Sequence, residues 1–458
     1  MKKLLLSALA IMGIMQSHAT HLMGGQITSQ NIGGNTYAVT LTVYRDTLGV
    51  PISPIAIINY AEVNGTWTDM HSVNVSAPNN YGNGVEEYVY IDTITFPNTG
   101  DFGLSWSDCC RNCALLNMTT PCAESFYLEN KLYVDPTNSS PVFLNPPIPL
   151  AQQGTPFNYN PLPFDIDGDS LYWQLDTPLT SVGLYVTGYT YPYADTSMPF
   201  TMNPNTGEVS FMPSTIGYFQ ASFLVNEYRA GVKIGEIRRD MQIIVVPGLA
   251  PPPIVNTTSN AFPYSGKQFY LTPGTSFTMT LTATDNDNRF ISVIGNGEPF
   301  INGNGATVTT SNGIGGASAV INWTPTANQQ RNAAYVAALR VSQAVYNYTF
   351  ANDYSISLFV GVIPAGINDN SNVKGVSDVY PNPTSGSFNI DYNAANATSI
   401  NVKVYDLLGS LIVAKNNINI NAGINIVSIN DANLSKGKYI LKIETPNEKP
   451  VTRPLTVE

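Results

Sequence analysis

A short run of carboxylates in the first half of the chain is the arrangement best suited to chemistry. Asp165-Ile166-Asp167-Gly168-Asp169 places carboxylates at alternate positions around a glycine, which lets the backbone bend. Carboxylate oxygens that converge in this way can bind a hard divalent cation, and Ca²⁺ takes roughly six to eight oxygen ligands. We expect Glu227 and Asp240, from later strands, to complete the ligand set. The sequence therefore predicts a candidate Ca²⁺ site.

A purely structural role is the alternative for the same run. It lacks the later Gly-x5-Glu segment of an EF-hand loop, so it is not that motif. Asp residues in such a loop can instead accept hydrogen bonds from their own backbone in an Asx-turn at a domain edge. A related stretch, Asp285-Asn286-Asp287-Asn288-Arg289, has arginine where the third acid would stand, so a cation is less expected there.

The cysteines form a second group, since Cys109, Cys110, Cys113 and Cys122 all lie in one short stretch. An even number of cysteines in an exported chain favours disulfides. A bond between the adjacent Cys109 and Cys110 would strain the peptide, so we expect each to reach Cys113 or Cys122, with the pairing open. Cys110 and Cys113 also have the C-x-x-C spacing of a zinc site, which is the alternative.

Hydrolytic catalysis has little support in the sequence. After residue 19 the chain contains only His21 and His71, and it has no G-x-S-x-G segment for a nucleophilic serine. Paired carboxylates of a glycosidase leave no local motif, so a glycan-active exported hydrolase remains the alternative function. A deep pocket with converging carboxylates in residues 21–250 would favour that alternative over a non-catalytic protein.

The composition indicates which elements must position these groups. Charged residues make up 12% of the chain, against about 25% in globular proteins. The chain contains 36 Gly and 32 Pro, and these residues supply the dihedral angles of tight turns. The fold class is therefore predicted to be all-β. A length of 458 residues exceeds the roughly 250–300 residues at which single cores stop growing.

The net charge of −11 restricts the partners. An acidic chain without a clustered basic patch repels phosphate backbones, so we expect no nucleic-acid partner.

Residues 1–19 have the pattern of a signal peptide. Lys2 and Lys3 precede an apolar stretch from Leu4 to Met15, and Ala19 is a small residue at the cleavage position. The alternative, a retained membrane anchor, is disfavoured because the apolar run is short for a bilayer. No second run of membrane length follows, so we expect export to the periplasm and a mature chain without a transmembrane segment.

Turn clusters and strand patterns divide the rest of the chain into tandem β-sandwich units. The strand around Val39, Leu41 and Val43 alternates with period two. The predicted units are a disulfide-stapled first unit (20–135), a second unit (138–247), a third unit (251–363), a linker (364–377) and a small tail unit (378–458).

The second and third units resemble copies of one immunoglobulin-like fold. Residues 157–165 align with 277–285, residues 209–213 with 321–325, and residues 239–245 with 352–358. A repeat of about 110–120 residues of short strands is typical of tandem sandwiches.

The tail unit resembles the type A C-terminal sorting domain of the type IX secretion system of Bacteroidetes. Motifs at 380–386, 404–409 and 434–443 carry the resemblance, in the family's order, through Pro381, Asn382, Pro383, Gly386, Asp406, Gly409, Gly437 and Tyr439. The resemblance implies passage through an outer-membrane translocon and contact with the sorting machinery. Such tails are often cleaved, which releases the protein or leaves it tethered to surface lipopolysaccharide.

Upstream segments resemble the opening and the immunoglobulin- or cadherin-like modules of large surface proteins of that phylum. The residues that carry this resemblance are 20–27, 40–46, 163–175 and 226–240. Together these features predict a non-catalytic protein of the cell surface or the extracellular space. We expect it to serve adhesion, surface structure or the binding of a glycan or protein ligand, with Ca²⁺ as the one expected cofactor.

Overall fold

The computed structural model describes residues 22–361, apart from 50, 63–64, 66–67, 75–77, 148–149, 262, 266, 302 and 332. It also describes residues 376–457, apart from 377–378, 381, 383, 385, 395, 407–408, 422, 431–433 and 447–449. The predicted signal peptide and His21 lie outside the described residues. The same holds for Pro381, for Pro383 and for the predicted linker except Val376.

The described residues confirm the all-β prediction, with tandem immunoglobulin-like sandwiches and a small sandwich in the tail unit. Besides strands, the described residues contain short 3₁₀ turns at Pro121–Ala123, Glu298–Phe300 and Ala327–Gln329.

The first unit is a curled antiparallel sheet around one apolar core. Val39, Leu41 and Val43 alternate along one strand and are all fully buried, as the period-two pattern predicts. The strand order is β1-β2-β6-β4-β3-β7-β8, with β5 paired to β6. The strands are β1 (Leu22–Gly33), β2 (Thr36–Asp46), β3 (Ile55–Glu62), β4 (Thr68–Asn74), β5 (Asn79–Gly82), β6 (Val85–Thr95), β7 (Gly100–Asp108) and β8 (Phe126–Val134).

The second unit is built around a long hairpin that turns at Ala230 and Gly231, both of which have positive φ. Trp173 is buried beneath it and packs against Phe223, with ring centroids 5.5 Å apart. The strands are β9 (Val142–Phe143), β10 (Leu150–Gln152), β11 (Phe157–Tyr159), β12 (Pro163–Phe164), β13 (Ser170–Asp176), β14 (Leu179–Ser181), β15 (Leu184–Tyr185), β16 (Thr201–Met202), β17 (Val209–Phe211), β18 (Gly217–Arg229) and β19 (Val232–Val246).

Strand β19 joins the first two units into one twelve-stranded sheet. One of its edges pairs with β18, and the other pairs in turn with β8, β1 and β10. The close approach of β1 requires Gly24, because a Cβ there would lie 2.8 Å from the backbone oxygen of Asp240. The unit boundaries remain predictions, and backbone hydrogen bonding crosses the one placed near residue 135.

The third unit is a sandwich of two sheets, ordered β20-β23-β27-β25 and β21-β22-β29-β28-β24-β26. Trp323 lies buried between them and packs edge-on against Tyr335. The strands are β20 (Ile254–Ser259), β21 (Pro263–Ser265), β22 (Gln268–Leu271), β23 (Phe277–Thr284), β24 (Phe290–Gly297), β25 (Thr307–Ser311), β26 (Gly313–Ile314), β27 (Gly316–Trp323), β28 (Tyr335–Val345) and β29 (Tyr348–Val360).

The tail unit has its own apolar core between the sheets β32-β31-β34-β35 and β30-β33. Ile390, Val404 and Leu441 are fully buried in this core. The strands are β30 (Phe388–Ala394), β31 (Thr398–Asp406), β32 (Leu411–Ile420), β33 (Gly423–Ile429), β34 (Gly437–Glu444) and β35 (Val451–Val457).

Candidate functional site

The acidic loop, residues 165–169, connects β12 to β13. Asp165 organises it, because its Oδ1 accepts hydrogen bonds from the backbone N–H groups of Asp167 (2.9 Å) and Asp169 (3.0 Å). Gly168 has a φ of 83°, a conformation that favours glycine at this bend. The structure therefore contains the Asx-turn geometry of the alternative interpretation. It also brings the three carboxylates together, with one oxygen of each within 4.8 Å of the others.

Glu227 lies beside this loop on β18, opposite Leu171 of β13. Its side chain is completely buried, and neither carboxylate oxygen has a hydrogen-bond partner among the described residues. Gly235 makes room for it on β19, since a Cβ at that position would lie within 2.4 Å of Oε2 of Glu227. The structure thus brings Glu227 to the acidic loop.

The pKa values of two of these acids are strongly displaced. Burial raises the pKa of Glu227 to about 9, and the negative charges of Asp165 and Asp169 add to that rise. Burial likewise raises the pKa of Asp165 to about 7, with additions from the charges of Asp169 and Asp167. Both shifts express the cost of placing several negative charges in one partly desolvated space.

Two contacts tie the acidic loop to its surroundings. Arg229 donates to both carboxylate oxygens of Asp169, from Nε at 2.9 Å and from Nη2 at 2.5 Å. The same guanidinium donates to Asn138, and Asp167 Oδ2 accepts a hydrogen bond from the Ser139 backbone N–H at 2.5 Å. Because Ser139 and Ser140 also hydrogen-bond to β1, the loop lies at the junction of the first and second units.

Asp240, the other predicted ligand, is placed elsewhere. It lies opposite Ser222, five positions along β18 from Glu227. Its Oδ2 forms an ion pair with Arg111 Nη2 at 2.8 Å, and both side chains are completely buried. The structure therefore gives Asp240 a role in anchoring the cysteine loop, residues 109–122, to β19.

The sulfur pairing of the cysteine loop differs from the expectation. Cys109 is bonded to Cys110, and Cys113 to Cys122. The peptide bond between Cys109 and Cys110 is cis, and their Cα atoms lie 3.1 Å apart. None of the four cysteines is free in this structure.

The third unit contains an equivalent loop, residues 285–289, in which neighbouring groups balance the acids. Arg289 Nη1 lies 2.6 Å from Asp287 Oδ2 and 3.6 Å from Asp285 Oδ1. Gln343 Nε2 donates to Asp285 Oδ2 at 2.5 Å. The pKa of Asp285 is lowered, because the Gln343 hydrogen bond and its other favourable contacts outweigh the effect of burial. An arginine and an amide here balance the acids.

A cavity of about 330 Å³ lies between the second and third units, and residues of the acidic loop line part of it. Asp165, Asp169 and Glu298 contribute acids to its wall. Two of these acids are already paired: Asp169 with Arg229, and Glu298 with Arg331 through both guanidinium Nη atoms. The cavity volume is near the lower end of the range for small-molecule sites, about 300–1,000 Å³.

Sequence reasoning missed several residues of this region. Gln343 could have been found by extending the repeat alignment. The residue six positions after Asp165 faces Glu227, and the residue six positions after Asp285 faces Gln343. Arg111 gave no comparable signal, because a single arginine among cysteines does not indicate a buried partner from another unit.

The motif residues of the tail unit hold its turns and its last strand in place. Asn382 donates to the Pro454 carbonyl at 3.0 Å and accepts from the Thr456 backbone N–H at 2.8 Å. Asp406 and Gly409 form the turn between β31 and β32, with Gly409 at a φ of 88°. Tyr439 donates its hydroxyl to the Ser435 carbonyl.

The remaining described motif glycines also stand at turns or strand ends. Gly386, with a φ of 121°, donates its N–H to Thr384 Oγ1, and Gly437 begins β34.

Residues 378–458 match the family model of the secretion system C-terminal sorting domain. The tail unit is a sorting domain. The sequence prediction for this region is confirmed, and the domain implies export to the cell surface or the extracellular space. It also implies interaction with the type IX secretion machinery. The match covers about one-sixth of the chain and leaves the activity of the upstream units open.

Several solved structures of immunoglobulin-domain proteins are similar to this chain over part or most of its length. The N-terminal four Ig domains of Dscam1 isoform 6.44 share 11% identity, with 95% of this chain and 99% of that chain covered and a TM-score of 0.18. Extracellular domains 3–5 of Drosophila OTK share 12% identity, with 69% and 97% covered and a TM-score of 0.16. Sequence identities and TM-scores this low carry no information about function.

The CupB2 chaperone of Pseudomonas aeruginosa shares 9% identity, with 42% of this chain and 99% of that chain covered and a TM-score of 0.18. No curated protein matches the sequence. Among the described residues, no helix is long and apolar enough to cross a bilayer.

Proposed function

We propose that this protein is a type IX secretion cargo whose upstream units work, without catalysis, at the cell surface or in the surrounding medium. Their role is adhesion, surface structure or the binding of a glycan or protein ligand. The observation that carries the proposal is the sorting domain at residues 378–458, which implies export. Cleavage of the signal peptide after Ala19 is part of the same proposal.

The connection between the first two units supports a mechanical or ligand-presenting role. Strand β19 pairs with strands of both units, and the buried Arg111–Asp240 ion pair adds a second connection. Shared backbone hydrogen bonds restrict hinge motion between the units, because bending there would break a continuous sheet. A stiff β protein suits the display of a binding surface away from the membrane.

The inter-unit cavity gives the hydrolase alternative its one structural argument, because acids line its wall. A glycosidase requires two carboxyl groups that face the substrate as acid and as base or nucleophile. Asp169 and Glu298 each accept two guanidinium hydrogen bonds, and Oδ1 of Asp165 is bound to its own loop. These engagements support a binding role for the cavity over a catalytic one.

Cell fractionation tests the export part of the proposal. Cells that produce the full chain are compared with cells that produce a chain lacking residues 378–458, with an antibody against the third unit as the probe. The full chain should be found at the cell surface or in the medium, and the shortened chain should accumulate in the periplasm. Arrival of the shortened chain outside the outer membrane would contradict the proposal.

A turnover assay separates the two functions. The purified full chain is incubated with a panel of fluorogenic glycosides and with labelled surface polysaccharide, and both hydrolysis and binding are measured. The non-catalytic proposal expects binding without product release. Turnover that is lost on substitution of Asp165 or Glu298 by the corresponding amide would establish the hydrolase instead.

A further inference from the structure

Glu227 presents a buried carboxyl group for which the described residues supply no hydrogen-bond donor. Its side chain has no exposed surface, and among the described residues neither oxygen finds a hydrogen-bond donor. Oδ2 of Asp165 is in the same condition, buried and without a donor among those residues, while Oδ1 holds the loop. Buried carboxylate oxygens are strongly destabilising unless a donor or a cation satisfies them.

The third unit shows how the same position can be satisfied. Glu227 faces Leu171 across β18 and β13, and Gln343 faces Ile291 across β28 and β24. Leu171 and Ile291 each follow the first loop acid by six residues, so Glu227 and Gln343 are equivalent positions of the repeat.

Gln343 is buried like Glu227, but its amide donates a hydrogen bond to Oδ2 of Asp285. Glu227, as a carboxylate, cannot make the corresponding donation to Asp165.

The charge balance of the two loops differs for the same reason. The third unit sets the acids Asp285 and Asp287 against Arg289. The second unit sets the three acids of the acidic loop and Glu227 against Arg229 alone. Arg229 is paired with Asp169. Because 36% of its side chain is exposed, solvent weakens the effect of its charge on the buried acids. Among the described residues, the second unit therefore lacks positive charge to balance its four acids when they are ionised.

We propose that a Ca²⁺ ion bound by Asp165, Asp167 and Asp169, with Glu227 behind them, supplies this positive charge. Oxygens bound to one Ca²⁺ at about 2.3–2.6 Å lie no more than roughly 5 Å apart. The three aspartates offer oxygens within 4.8 Å of one another, so all of them can contact one ion. Asp167 and Gly168 are exposed, which gives the ion a path from solvent and leaves room for water ligands.

The ligand chemistry distinguishes Ca²⁺ from other ions. The cluster offers oxygen donors without nitrogen or sulfur, which suits hard cations and not zinc or copper. An irregular loop with a mixture of buried and exposed carboxylates fits the flexible coordination of Ca²⁺. Mg²⁺ requires near-octahedral geometry at about 2.0–2.1 Å, which this spacing does not favour.

The location gives the ion a structural consequence. Asp167 and Arg229 hold residues 138 and 139, and Ser140 hydrogen-bonds to Ser29 of β1. An ion that fixes the acidic loop thereby fixes the connection between the first and second units. We expect Ca²⁺ to stabilise the joined units and not only the loop.

Calorimetry and thermal unfolding of the purified full chain test the proposal, with CaCl₂ added after removal of metals by chelation. The variants are Glu227→Gln, which copies the third unit's Gln343, and Asp167→Asn. The matched control is Asp287→Asn in the third unit. Because the protein is purified, the measurement does not depend on the export route, and a failure of either proposal leaves the other standing.

The wild type should bind one Ca²⁺ with a Kd of about 0.1–1 mM, the range of extracellular modules. The melting temperature should rise by roughly 5 °C at a hundred-fold excess over Kd. Asp167→Asn and Glu227→Gln should each weaken binding at least about ten-fold, because each removes one negative charge at or beside the ion. Asp287→Asn should leave the affinity unchanged.

Without calcium, Glu227→Gln should melt above the wild type, because its amide can donate to Asp165 as Gln343 does to Asp285.

Three results would overturn the proposal. The first is no heat and no thermal shift at 10 mM CaCl₂ (about ten times the upper expected Kd), which would mean that the carboxyl groups share protons instead. The second is unchanged affinity in Glu227→Gln or an equal loss in Asp287→Asn. The third is an equal response to MgCl₂, which would rule out the selective Ca²⁺ site.

Discussion

Arg111 and Asp240 form an ion pair with 2.8 Å between Nη2 and Oδ2, and neither side chain has any exposed surface. Arg111 belongs to the cysteine loop of the first unit, and Asp240 to β19 of the second. The guanidinium also donates to the Leu179 carbonyl and lies over the ring of Phe126. The pair therefore connects two units at a point from which water is excluded.

Removal of one partner of this pair should be strongly destabilising. Arg111→Met leaves Asp240 buried without its ion-pair partner, and we expect a loss of about 3–5 kcal/mol in the free energy of unfolding. Guanidinium-induced unfolding of the full chain, followed by tryptophan fluorescence, measures it. The double variant Arg111→Met with Asp240→Leu should recover most of the loss, since both charges are then absent.

Arg331→Met provides the comparison, because the Arg331–Glu298 pair is partly exposed and should contribute only about 0–1 kcal/mol. A double variant as unstable as the single one would contradict this account of Arg111.

The glycine at the junction of β1 and β19 should not tolerate a side chain. Gly24→Ala would place a Cβ 2.8 Å from the Asp240 backbone oxygen and 3.3 Å from Met241 Cα. Backbone atoms cannot move aside cheaply, so we expect a loss of about 1–3 kcal/mol. Gly316→Ala is the control and should melt near the wild type, because a Cβ at this strand glycine would lie 3.7 Å from the Ala283 backbone oxygen, an ordinary contact distance. Equal melting temperatures for the two variants would refute the close-approach argument.

Glu236 should make the junction of β8 and β19 sensitive to acid. Burial raises its pKa, but hydrogen bonds and charges from Lys233 and Lys131 outweigh that effect, so the net shift is downward. A lowered pKa in the folded state stabilises the protein above the ordinary value of 4.5, and this contribution is lost as the pH falls through the folded-state value.

The wild type should therefore exceed Glu236→Gln by about 0.5–1 kcal/mol near pH 7, and the difference should shrink below pH 4.5. Urea unfolding at a series of pH values measures the difference. Both lysines are about half exposed, so 1 M salt should reduce it. A difference that stays constant with pH would exclude the ion-pair explanation.

The fold class and the acidic loop could be predicted from local patterns alone. Period-two alternation in strands such as β2 depends on which face meets the core, and that information is local. The acids at 165, 167 and 169 stand close together whatever the rest of the chain does, because a short loop joins them. The sorting domain was predictable for the same reason, since its motifs are turns with fixed residue requirements.

Partners that come from distant strands could not be predicted in the same way. Glu227 and Asp240 stand on the two strands of one hairpin, and their relative position depends on the turn at Ala230 and on a register shift beside Glu227. That register sends Glu227 to the acidic loop and Asp240 to Arg111. The joining of two units through β19 is likewise a tertiary pairing, which no local alternation of residues encodes.

Asn382 of the sorting domain should couple folding of the tail to export. Its side chain bonds the backbone of β35 twice, at Pro454 and Thr456. Asn382→Asp replaces the donor with a carboxylate that faces the Pro454 carbonyl, so we expect a loss of about 1–3 kcal/mol. Surface labelling should detect less exported protein, with more protease-sensitive chain retained in the periplasm. Asn396→Asp introduces the same charge at an exposed position of the same domain and should export normally. If both variants reach the surface like the wild type, these two hydrogen bonds do not support the sorting function.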